Sequence, residues 1–126
     1  MSDSNFDAKS ELLQVLENSK EIESLVAGGV HNLHAGDSTL FPRIIYTELQ
    51  NSDGDYFDNK PTSAEVFFQV SIFCDSETVS FQTKIAKEVD KIMKSIDYAR
   101  YDSTDLYEKE DKIFHKPMRY RKKFIF

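Results

Sequence analysis

One cysteine, Cys74, stands in a chain of 126 residues, so no internal disulfide is available and packing alone must hold the core. That length gives a single domain, spanning residues 1–126, with enough chain to bury a core without a structural metal. No apolar run approaches the roughly 20 residues that cross a bilayer. The polar start Met1-Ser-Asp-Ser-Asn5 lacks the features of a signal peptide and reads as a flexible tail over residues 1–5. The expectation is a protein that remains in the cytoplasm where it is made and has no membrane partner. Also missing are a glycine-rich phosphate loop, a nucleophile elbow and a Cys/His pair at ligand spacing. Nothing in the residues supports catalysis or a cofactor. Internal repeats, low-complexity tracts and domain linkers are likewise lacking.

Two weak metal patterns occur. His31-x-x-His34 can bring two imidazoles together with Asp37 as a third ligand, but the segment is not helical in pattern and reads as two solvated loop histidines. Asp53-Gly-Asp55 and Asp58 have the flavour of a calcium loop. An EF-hand needs glycine at its sixth position and glutamate at its twelfth, where this chain has Asp58 and Ala64. No metal site is assigned.

Acids are absent from residues 112–126. All 22 lie before that segment, which holds six of the 16 bases: Lys112, Lys116, Arg119, Arg121, Lys122 and Lys123. An acidic body with a basic last segment fits nucleic acid or the acidic face of another copy. The net charge of -6 makes free duplex DNA the poorer partner.

The clearest element present is the stretch Thr62–Ile96. Val66, Phe68, Val70, Ile72 and Cys74 alternate with Glu65, Phe67, Gln69, Ser71 and Phe73, the period of a half-buried strand. Past Asp75-Ser76 the period changes. Phe81, Ile85, Val89, Ile92 and Ile96 make one stripe of a helix, with Lys84, Lys87, Lys91 and Lys94 opposite and Asp75 or Ser76 as its cap. Phe67 and Phe73 fall on the polar strand face, which implies a second apolar layer or a subunit interface.

Before this unit, Asp7 caps a helix to about Asn18, and Asn18-x-x-Glu21 has the form of a capping box for a second short helix that Gly28-Gly29 stops. Residues 30–37 read as a loop or short strand, and Arg43–Leu49 as a strand. The run Asn51–Pro61 is turn chemistry throughout and reads as a projecting contact loop, too long for a tight hairpin. Tyr98–Tyr107 reads as an interrupted strand. The last strand, residues 112–126, carries Pro117, which belongs at an edge or bulge. The fold class is therefore α+β: a small, mixed, mainly antiparallel four-stranded sheet packed by helices, in the order α-(α)-β-β-α-β-β. Tyr98, Tyr101, Tyr107 and Tyr120 among bases also permit stacking on single-stranded nucleic acid.

Several strings resemble a known family. They are Leu25-Val26-Ala-Gly-Gly29, the entry Phe41-Pro42-Arg43-Ile44-Ile45-Tyr46, the strand Val66–Phe73 with its following helix, and the closing runs Asp102-Ser-Thr-Asp-Leu-Tyr107 and Ile113-Phe-His-Lys-Pro-Met-Arg-Tyr120. Over roughly residues 8–126 the chain resembles the tail-completion, or tail-terminator, proteins of long-tailed bacteriophages. The resemblance implies a mixed sheet flanked by helices and a non-catalytic role. It implies a ring, usually of six copies, on the head-proximal end of the tail tube. That ring ends polymerisation, meets the tube protein and the head connector or stopper, and lets DNA pass through its channel. On this reading the contacts fall to Asp53, Asp55 and Asp58 of the loop, to Phe67 and Phe73, and to Arg119, Arg121, Lys122 and Lys123. The alternatives are another neck or minor tail assembly protein, or a small nucleic-acid-binding module using the basic C-terminal strand.

Overall fold

The computed structural model describes residues 5–36 and 40–126. Its middle strand is β3 (Lys60–Cys74), whose alternation the sequence announced: Val66, Phe68, Val70, Ile72 and Cys74 are all fully buried on one face. Antiparallel neighbours lie on both sides, β2 (Arg43–Phe57) and β6 (Ile113–Ile125). Beyond β2 a three-residue strand, β1 (Val30–Asn32), pairs in parallel, and beyond β6 run β4 (Ala99–Ser103) and β5 (Leu106–Glu108). Among the described residues the sheet thus has six strands, not four, in the order β1-β2-β3-β6-β4 with β5 also on β6. The two extra strands were hidden for different reasons. β1 is too short to show a period, and β4 and β5 share one track along β6 that a single residue divides.

That residue is Pro117. Thr104 N–H donates to the Pro117 carbonyl at 3.2 Å, but proline has no N–H to return the bond. The ladder breaks there, between Ser103↔Met118 and Leu106↔His115. β6 is an interior strand, so the expected edge or bulge position is replaced by a gap in the neighbouring strand.

Helices α1 (Ala8–Glu17), α2 (Lys20–Leu25) and α3 (Gln82–Ser95) cover one face of the sheet. Leu12, Leu16 and Ile22 meet Ile85, Val89 and Met93 over the strand residues Ile44, Tyr46, Phe68, Met118 and Tyr120. The second helix starts one residue later than the capping box implied: Ser19 Oγ accepts from Ile22 N–H at 3.2 Å and donates to Glu88 of α3 at 3.1 Å. α3 also starts late. Asp75 Oδ1 accepts from Thr78 N–H at 2.9 Å and from Thr78 Oγ1 at 2.7 Å, closing a separate turn before a short 3-10 stretch, Val79–Phe81. Phe81 consequently leaves the core stripe and is exposed. Beneath that turn, burial chiefly, with Asp75's charge adding and the Thr78 hydrogen bond opposing, pushes the Cys74 thiol up to about 11.

Asp90 fastens α3 to the sheet edge, accepting from Tyr120 Oη at 2.8 Å and pairing with Arg100 at 3.0 Å and Lys94 at 2.7 Å. Burial alone raises its carboxyl pKa, but the hydrogen bonds from Lys94 and Tyr120 and the charges of Lys94 and Arg100 outweigh it, and the net shift is downward. At the opposite corner Gly28 lets two segments of the backbone touch. A Cβ there would lie 1.9 Å from the Leu40 carbonyl oxygen, while Gly28 N–H donates to Pro42 O at 2.8 Å.

Candidate interaction surfaces

Among the described residues no helix covers the second face of the sheet. The pleat brings Phe67, Gln69, Ser71 and Phe73 of β3 there, opposite Arg121, Arg119, Pro117 and His115 of β6. Polar side chains form a cross-strand chain: Arg119 Nε donates to Gln69 Oε1 at 3.1 Å, Gln69 Nε2 donates to Ser71 Oγ at 3.1 Å, and His115 Nε2 lies 2.9 Å from the same hydroxyl. Phe73 stacks on His115 with ring centroids 4.2 Å apart, and Arg43 lies over Phe41 at 4.4 Å. Phe67 packs edge-on to Tyr101 at 5.7 Å. The result is a firm, aromatic and mainly basic surface on which Phe67 and Phe73 remain half-buried. Burial depresses the His115 pKa, so the ring is held neutral. Ser71 and His115 have the spacing of a nucleophile and base, but no carboxylate is among the hydrogen-bond partners of His115 in the described residues. Sequence reasoning missed this network because its two cross-strand bonds join residues 44 and 50 positions apart, which meet through register.

The basic residues separate by the pleat. Arg119, Arg121 and Lys123 face outward and are exposed, and Arg121 has no ion pair among the described residues. Lys122 points the other way. Only 11% of its side chain is exposed, its ammonium lies 3.6 Å from Glu11 of α1, and it sits over the Phe124 ring at 4.6 Å. Tyr98 and Tyr120 also face the helices and are buried, which leaves only Tyr101 and Tyr107 of the four as exposed rings and removes half of a stacking platform.

Residues 51–61 differ from the projecting loop expected of their composition. They do not form a loop: β2 and β3 continue through them as a hairpin whose two-residue turn is Asp58-Asn59, at φ of 52° and 61°. Both values suit the type I′ turn that matches strand twist, and Asp and Asn tolerate them. A bulge at Leu49 precedes this arm, between the pairs Glu48↔Phe68 and Gln50↔Phe67. At its base Asn5, expected in a flexible tail, is buried and bonded to Asn51. Asp53 and Asp55 therefore lie on a strand and Asp58 in the turn. Asp55 is engaged already, 2.6 Å from Lys123, and hydrogen bonds from Lys123 and Ser63 draw its carboxyl below the usual range. The arm ends in two large exposed rings, Tyr56 and Phe57, the latter 72% exposed.

No group of three metal-ligating side chains converges among the described residues. His31 Nε2 meets the Gly28 carbonyl at 2.7 Å, His34 is exposed, and Asp37 lies outside the described residues. No helix among them is long and apolar enough to cross a membrane.

No protein-family model matches this sequence. None of the curated proteins matches it either. Among solved structures, the chain is similar in fold to a chain from the virion of a native gene transfer agent (GTA) particle, with a TM-score of 0.73 at 12% identity, over 94% of each chain.

Proposed function

We propose that this chain is a virion structural protein of a phage-like particle, and that it completes the tail as a ring at the head-proximal end. The observation that carries the first part is the fold likeness to a virion chain, which spans 94% of both chains rather than one motif. The tail-completion role rests on the strings quoted above and on the kind of surface the fold leaves open. An uncovered sheet face that is aromatic and basic, on a chain whose net charge is -6, gives one copy two unlike faces. Unlike faces meet head to tail, and such contacts close into rings when the rotation allows. The partners on this reading are further copies of the chain, six in the pattern of the family it resembles, together with the tube end on one side and the head connector on the other. DNA passes through the channel without being read.

The test is location. Purified particles labelled with a gold-tagged antibody to this protein carry the label at the junction of head and tail. Label along the whole tube, on the head shell, or absent from particles contradicts the proposal.

A further inference from the structure

We propose that the hairpin tip of one copy, led by Phe57, seats in a groove between α1, α2 and β1 of the next copy. This rests on the ring reading above and names the contact that would build the ring. Phe57 and Tyr56 are 72% and 64% exposed at the far end of a two-stranded arm, beyond the last residues of β6. Exposed aromatic rings on a projecting element mark contact sites.

The same chain holds a matching recess. Ala27, Gly29 and Val30 line a groove of about 330 Å³ over the buried Leu16, Ile22 and Val26, with the exposed Glu17 and Glu23 beside them. A cavity of about 150 Å³ already accepts a benzene ring, so the groove has room for a phenylalanine side chain. Charge fits as well. The tip carries Lys60 beside Phe57 and Asp58 in the turn, while the groove has these two glutamates and Lys20 close by. Lys60 can meet Glu23 or Glu17, and Asp58 can meet Lys20.

Distance decides that the contact is between copies. The groove adjoins β1, where Val30 pairs with Ile44 at the start of β2, and Phe57 ends the same strand. At about 3.3 Å per residue, that run of strand is roughly 40 Å long. A tip cannot reach its own groove. A tip and a groove at opposite ends of one molecule make a heterologous contact, which closes into a ring or runs on as a filament.

The experiment places p-benzoylphenylalanine at position 57 of the full chain and irradiates both the concentrated purified protein and assembled particles. The expected product is a two-chain adduct whose cross-link maps to residues 16–30. Lys60→Glu and Glu23→Lys each lower its yield about fivefold, the upper end for an exposed pair, and the two together restore it. If the protein is in particles but the adduct maps elsewhere, joins another protein or fails to form, the contact is wrong and the virion reading survives. If the protein is absent from particles yet the purified chain gives the adduct, the contact survives and the virion reading fails.

Discussion

Asn5 and Asn51 clasp each other across 46 positions of sequence: the Asn5 amide donates to Asn51 Oδ1 at 2.7 Å, and the Asn51 amide donates back to the Asn5 carbonyl at 3.0 Å. Asn51 stands just past the bulge, opposite Val66 of β3, on the run of β2 that leads toward the hairpin tip. The clasp ties the first described turn of the chain to β2 ahead of the hairpin tip.

Asn51→Ala leaves the buried Asn5 amide without its acceptor. The expected loss is about 1–2 kcal/mol, the cost of an orphaned buried donor. Urea unfolding measures it, and hydrogen exchange shows the loss concentrated in residues 50–65 rather than in α3.

The Asp90 junction is a second hinge of stability. Asp90→Ala removes the charged acceptor of the buried Tyr120 hydroxyl and costs about 2 kcal/mol. The exposed pairs with Lys94 and Arg100 contribute little of that. Because the folded carboxyl titrates below its unfolded value of about 3.9, the contribution is complete above that value and vanishes as pH falls through the folded pKa. The gap between wild type and variant in urea midpoint is therefore constant at neutral pH and closes in acid.

His115 gives a separate pH window. Its folded pKa is depressed by burial below the ordinary value of about 6.5, so the unfolded chain takes up a proton before the folded chain does. Stability is full above the unfolded pKa and declines as pH falls from there toward the folded pKa. Thermal midpoints at pH 8 and pH 5.5 show the decline, and His115→Gln, which does not titrate, flattens it.

Much of this architecture could be read from single residues. The alternation Val66–Cys74 fixed the central strand and the face it buries, and the Ile85-Val89-Ile92 stripe fixed α3, because both periods run long enough to be unambiguous. The arm was misread for a physical reason. Asn, Asp and Gly mark turns, yet a solvated edge strand and the short ribbon beyond it need no apolar side and tolerate them; only Asp58-Asn59 actually turns. Lys122 was grouped with its basic neighbours by composition, whereas the pleat sets it inward beside Tyr120 and Phe124. The Arg119-Gln69-Ser71-His115 chain depends on cross-strand register, which the sequence of one strand does not contain.

Charge reversal on the open face separates assembly from folding. Arg119→Glu with Arg121→Glu alters two exposed outward side chains whose loss leaves the core untouched, so stability changes by less than about 1 kcal/mol. Incorporation into particles falls at least several-fold, as expected when a facing acidic surface is repelled. Quantitative mass spectrometry of purified particles reads the incorporation, and circular dichroism the fold. Normal incorporation removes this face from the contact.

The most direct measurement is deletion of the gene from the element that encodes it, followed by electron microscopy of the lysate. The account predicts tail tubes of uncontrolled length, or finished tails and filled heads that fail to join. Normal, joined and infectious particles would contradict it.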